Sequence, residues 1–246
     1  MNRVKMTLSY DGTGYHGWQI QSNARTVQGE LHLALRQLFG VEMTVSGCSR
    51  TDAGVHAKNF VCHTDLPRQF PLDKMPFALN ALLPEDICVK TVEAVADDFH
   101  ARFSCTGKTY SYRLYNCRIR DPFELHRAGF WPTPLDADRM DRFAKEFVGE
   151  HDFAAFMATG SVVEDTVRKI LSFDVKREGD VITFTVCGNG FLYNMVRIMV
   201  GTLIYAECGK LDRSISDVIL SRDRTLAGIT VPPQGLYLEQ PYFESI

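Results

Sequence analysis

The sequence predicts a mixed α+β protein built as two successive halves. Strand-like and helix-like hydrophobic periods alternate along the whole chain. The series starts afresh near residue 105, with neither a low-complexity linker nor a repeat at the seam. The expected halves are residues 1–105 and 106–246, two α+β units sharing one extended sheet. A chain of 246 residues, 45% hydrophobic and 23% charged, is long enough to bury such cores and is not disordered by composition.

The elements follow in order. Residues 4–10 alternate loosely and end at Asp11-Gly12, a strand running into a turn. Val27, Leu31, Ala34, Leu35 and Leu38 then recur at helical spacing, with Thr26 placed to cap this helix and Gly40 to stop it. Residues 43–48 and 59–64 read as short strands, 77–83 as a short helix closed by Pro84, and 87–95 as another strand. The second series has strands at 108–116, 167–177 and 181–187. Its helices are expected at 138–148, 191–205 and 214–220.

Composition narrows the function classes. A net charge of −3 argues mildly against a generally basic surface and leaves room for a local basic groove. The seven cysteines, Cys48, Cys62, Cys88, Cys105, Cys117, Cys187 and Cys208, include no Cys-x-x-Cys pair, so neither a zinc knuckle nor a dithiol redox site is expected. Their odd number and scatter fit the reduced thiols of a cytoplasmic protein. The first residues lack the apolar run of a signal peptide, and no stretch reaches the roughly 18 apolar residues of a membrane span.

Four constellations could carry chemistry. Gly12-Thr13-Gly14-Tyr15-His16-Gly17 fits a dinucleotide fingerprint after a strand, but helical periodicity resumes only near Val27. A pyrophosphate site needs the helix N-terminus directly after the glycines, so a turn is the better reading. In Arg50-Thr51-Asp52-Ala53-Gly54-Val55-His56-Ala57, Asp52 has almost no bulk on its C-terminal side. That suits either close approach by a substrate or an Asx-turn with Gly54 at positive φ. His56 reads as a packed structural residue. Arg197 is the only formally charged residue between Val186 and Ala206. Its guanidinium requires either a buried carboxylate partner or a route back to water. Residues 101–120 hold Arg102, Lys108, Arg113, Arg118 and Arg120, no acid, and Phe103, Tyr110, Tyr112 and Tyr115. Cations interleaved with rings suit an RNA groove, or equally a solvated basic face. Alternation puts Tyr110 and Tyr112 on one face and Arg113 on the other.

Together these motifs resemble the tRNA pseudouridine synthase A family. Besides the Asp52 motif, Leu8-Ser9-Tyr10-Asp11-Gly12-Thr13-Gly14-Tyr15-His16-Gly17-Trp18-Gln19 is similar to that family's first strand and turn. Arg25-Thr26-Val27-Gln28-Gly29-Glu30-Leu31, Lys108-Thr109-Tyr110-Ser111-Tyr112, Gly190-Phe191-Leu192-Tyr193-Asn194-Met195-Val196-Arg197 and Pro232-Pro233-Gln234-Gly235-Leu236 follow in the family's order. Val231 stands where the family usually has alanine.

The resemblance implies the pseudouridine synthase fold, two α/β halves sharing a mixed, largely antiparallel sheet with a central cleft. It implies isomerisation of uridine to pseudouridine at nucleotides 38–40 in the anticodon arm of tRNA, with no cofactor and no metal. Asp52 would be the nucleophile or charge stabiliser, Arg197 its partner, and Tyr110 the ring that stacks on a flipped uracil and takes a proton. Arg50 would help displace the base, Leu236 and Phe191 would line the pocket, and Arg113 and Arg118 would contact RNA. A homodimer is implied. The competing expectations are a non-catalytic RNA-binding module, an Asp-dependent hydrolase, and a nucleotide-dependent enzyme.

Overall fold

The computed structural model describes residues 2–160 and 163–244 and divides into two compact units. The first comprises the chain up to Thr106 together with the segment from Tyr237 onward; the second runs from Gly107 to Leu236.

In the first unit β1 (Arg3–Tyr10) lies between β3 (His56–Asp65) and β4 (Ile87–Ala94), antiparallel to both. Val4, Met6, Leu8 and Tyr10 are the buried face of β1, as period two requires. The short β2 (Ser46–Gly47) adds to β3 through Ser46↔His63. The last strand, β10 (Leu236–Tyr242), returns to this unit and runs parallel to β3, with Tyr237 opposite His56 and Leu238 opposite Ala57. Helix α1 (Val27–Phe39) buries Val27, Leu31, Ala34, Leu35 and Phe39. Its ends are those expected: Thr26 Oγ1 accepts from Gly29 N, and Gly40 turns left-handed at φ 78°. The short α2 (Met75–Asn80) is tied to β4 by Asn80, whose amide bonds both the N–H and the carbonyl of Val89.

The second unit is a four-stranded antiparallel path. It runs β5 (Gly107–Tyr115), β9 (Val181–Gly188), β8 (Val167–Glu178), β7 (Gly149–Asp152). The two-residue β6 (Gly129–Phe130) pairs parallel with β5. Helix α3 (Ala137–Ala144) packs on β8. Phe147, Phe153, Phe156 and Phe173 form a fully buried aromatic cluster, each ring contributing on the order of 2–3 kcal/mol by burial. Helix α4 (Met195–Glu207) is apolar on nearly every side and correspondingly buried. Helix α5 (Ile215–Ser221) begins with a capping box between Ser214 and Asp217.

The differences from the sequence expectations have local causes. In the 43–48 stretch Met43 and Val45 are buried, but only Ser46–Gly47 pair as a strand. The helix expected at 138–148 spans Ala137–Ala144 and tightens into a single 3-10 turn, Lys145–Phe147. Lys145 Nζ is held there by Asp141, Asp174 and the carbonyl of Phe173. The helix expected to open at residue 191 begins at Met195, because Asn194 is left-handed at φ 59°. All seven cysteines are free thiols. Among the described residues no helix is long and apolar enough to cross a membrane.

Candidate active site

In the first unit Asp52 sits on the loop that leads into β3. Thr51 before it is buried, Asp52 is half-buried, and Ala53 is exposed. The loop closes on itself through Val55 N donating to the carbonyl of Asp52 at 3.1 Å, with Gly54 at φ 78°. A second segment straps it on both sides of the aspartate. Trp18 N donates to Thr51 O and Gly54 N donates to Tyr15 O, each at 3.2 Å.

This strap explains the glycines of the 12–17 run. A Cβ on Gly12 would lie 2.0 Å from Val55 O, and one on Gly17 would lie 2.2 Å from Thr51 O. Only glycine lets two backbones approach that closely. The run folds into a 3-10 turn, and the next helix is α1 at Val27, so no helix N-terminus stands where a pyrophosphate would bind. His56 is buried, with Nδ1 accepting from Gly12 N at 3.1 Å and its ring stacked on Tyr237. Arg50 is exposed, and its Nε donates to Gln19 Oε1 at 2.8 Å.

In the second unit β5 carries the tyrosines. Tyr110 retains 7% of its surface and meets Phe191 edge-on, ring centroids 5.2 Å apart. Tyr112, on the same face, is fully buried and donates to Pro232 O at 3.0 Å. Burial pushes its phenol well above the usual tyrosine range, so Tyr112 is a packing residue with no proton to trade near neutrality. Gly235 lies against the Tyr112 ring and the carbonyl of Arg113, where a Cβ would stand 2.6 Å from each. Leu236 follows it, buried. Arg113 points to the other face and pairs with Glu124 at 3.4 Å, while Arg118 is exposed beyond the strand end.

Arg197 lies in the first turn of α4, half-buried. Its Nε donates to Val231 O at 2.7 Å and its Nη1 donates to Asn194 Oδ1 at 2.6 Å. The carbonyl of Val231 is brought there because residues 228–231 lie directly along α4. A Cβ on Gly201 would sit 1.9 Å from Ile229 O, and Gly228 N donates to Thr202 Oγ1 at 2.9 Å.

Comparison with known proteins gives this geometry a family. The family model described as tRNA pseudouridine synthase matches residues 6–104 and 143–244. The tRNA pseudouridine synthase A of Ruminiclostridium cellulolyticum is 49% identical over 99% of this chain and 100% of that protein. Those of Streptococcus pneumoniae serotype 19F, 46% identical over 99% of this chain and 100% of theirs, and of Thermoanaerobacter pseudethanolicus, 44% identical over 97% and 98%, agree. The chain belongs to the tRNA pseudouridine synthase A family.

Pseudouridine synthases are isomerases, and this chain has their mixed α+β fold. Of the two stretches matched by the family model, the first contains Asp52 and the second contains Arg197. Tyr110, Arg113 and Arg118 fall between them, in the part that the full-length synthase A relatives cover. Sequence reading missed Asn194 and Val231 as the acceptors that hold Arg197. The visible signal was an asparagine directly ahead of an apolar helix with one charge; the carbonyl, 34 residues downstream, left none.

Proposed function

We propose that this synthase isomerises uridine to pseudouridine in the anticodon arm of tRNA, at nucleotides 38–40, with Asp52 as its nucleophile. The observation that carries the proposal is the Asp52 loop. A half-buried carboxylate is followed by an exposed alanine and a glycine, on a backbone clamped from both sides. Such a group is pre-positioned, and a flipped base can reach it without meeting side-chain bulk.

The reaction rearranges one nucleotide. The bond from the ribose C1′ to N1 of uracil breaks, the base turns, and C1′ bonds to C5. C5 gives up a proton and N1 gains one, so mass and redox state are unchanged and no cofactor is required. Asp52 as an anion stabilises the electron-poor centre or attacks it outright. Arg197 is the counter-charge that keeps this carboxylate ionised. Tyr110, with Phe191 set edge-on against it, stacks on the extruded uracil, and its phenol oxygen takes the C5 proton. Leu236 walls the pocket, and Arg50 on its exposed loop fills the gap the base leaves. Arg113 and Arg118 contact phosphates, and the working form is a cytoplasmic homodimer gripping one tRNA.

The test is site-resolved mapping of pseudouridine in tRNA treated with the purified protein. The expected product is pseudouridine confined to the anticodon arm and absent when Asp52→Asn replaces the enzyme. Strand cleavage would identify a hydrolase instead, and binding without an isomer would identify a non-catalytic module.

A further inference from the structure

Asn194 stands at the N-cap of α4 and does not cap it. Asparagine favours that position because, from an extended backbone, its side-chain oxygen accepts an N–H of the first turn. Here the backbone is left-handed, at φ 59° and ψ 10°, and the side chain makes no capping bond. Among the described residues only Arg222 shares this conformation without being glycine. A Cβ makes it unfavourable, although asparagine tolerates it better than most residues. The displaced oxygen instead accepts from Arg197 Nη1 at 2.6 Å. With Nε already donating to Val231 O at 2.7 Å, two nitrogens of one planar group are tied to two fixed acceptors. A guanidinium held in this way cannot rotate about its last bonds.

We propose that Asn194 is a positioning residue for the isomerisation, fixing the orientation in which Arg197 works. The inference rests on the reading of Arg197 as the counter-charge in the reaction. Its rival is that the position merely needs a residue content with left-handed backbone. Glycine would meet that need better than asparagine, which makes the two readings separable.

Asn194→Gly in the full-length protein should therefore fold and stay within a few degrees of the wild type in Tm, because relief of the left-handed backbone offsets part of the lost hydrogen bond. Its kcat on tRNA should fall by about ten-fold or more, the scale of one lost hydrogen bond to a charged group. KM for tRNA should stay within about two-fold, since the lost bond serves the reacting centre and not the RNA contact. Asn194→Asp keeps an acceptor in place and should recover turnover to within about three-fold of wild type. Wild-type kcat in Asn194→Gly, or an aspartate variant as slow as the glycine one, would overturn the proposal. Arg197→Met belongs in the same assay. If it turns over normally, the reading of Arg197 fails and the role of Asn194 falls with it. If it is inactive while Asn194→Gly is not, only the positioning role is lost.

Discussion

The hydroxyl groups of Tyr10 and Thr51 meet in a buried hydrogen bond of 2.9 Å, one residue from Asp52. Tyr10 closes β1 and Thr51 opens the loop, so the bond ties the rigid sheet to the residue beside the carboxylate. Tyr10→Phe removes one oxygen and leaves the ring packed near Phe60. The buried Thr51 hydroxyl loses a partner, which should cost about 1–2 kcal/mol in denaturant unfolding. Turnover should fall more than tRNA affinity, and Thr51→Ser should be nearly silent where Thr51→Val is not. Equal effects of serine and valine would show that the hydroxyl contact is incidental.

Stacking needs a ring, whereas proton removal needs the phenol oxygen. Tyr110→Phe should therefore bind tRNA at close to wild-type Kd and lose turnover by about two orders of magnitude or more. Phe191→Ala, which removes the edge-on neighbour, should weaken both properties moderately. Single-turnover kinetics separate the two, and a normal rate in Tyr110→Phe would confine Tyr110 to stacking.

Salt dependence should distinguish the two proposed RNA-contacting arginines. Arg113 is already paired with Glu124, whereas Arg118 is exposed. The log Kd–log salt slope should flatten by about one contact on Arg118→Gln and by less on Arg113→Gln. Identical slopes for wild type and Arg118→Gln would make the 101–120 cations a solvated face.

Removing the Arg197 charge should shift the acid limb of the pH–activity profile. A carboxylate with a cationic neighbour stays ionised to lower pH, so in Arg197→Met the pH at which activity appears should rise. Arg197→Lys should recover only part of the shift, because a point charge cannot satisfy Val231 O and Asn194 Oδ1 together as the planar fork does. Arg197 is half-buried, so the stability cost should lie below the roughly 3–5 kcal/mol of breaking a fully buried pair. An unmoved acid limb in Arg197→Met would separate this arginine from Asp52.

Much of the molecule was legible from short-range chemistry. The ends of α1 follow from Thr26 and Gly40, and the faces of β1 and β5 follow from alternation. The 12–17 glycines read as a turn and do form one, although their purpose, close packing on the Asp52 loop, is invisible without the partner backbone. The start of α4 was misplaced because Gly190-Phe191-Leu192-Tyr193 is as apolar as the helix behind it. Only the left-handed Asn194 breaks the run, and asparagine alone does not announce that conformation.

By itself the sequence determined the helix caps, the strand faces and the family motifs, because each depends on neighbours a few positions away. Tertiary structure decided the rest. It laid β10 parallel to β3, with Asn59 Nδ2 donating to Glu239 O across 180 residues of chain. It set residues 228–231 against α4, giving Arg197 its carbonyl acceptor. It also packed the first turn onto the Asp52 loop. Each of those contacts ends on a backbone atom, which every residue carries alike, so the pairings follow from the packing of whole elements and leave at least one partner with no distinctive side chain to read.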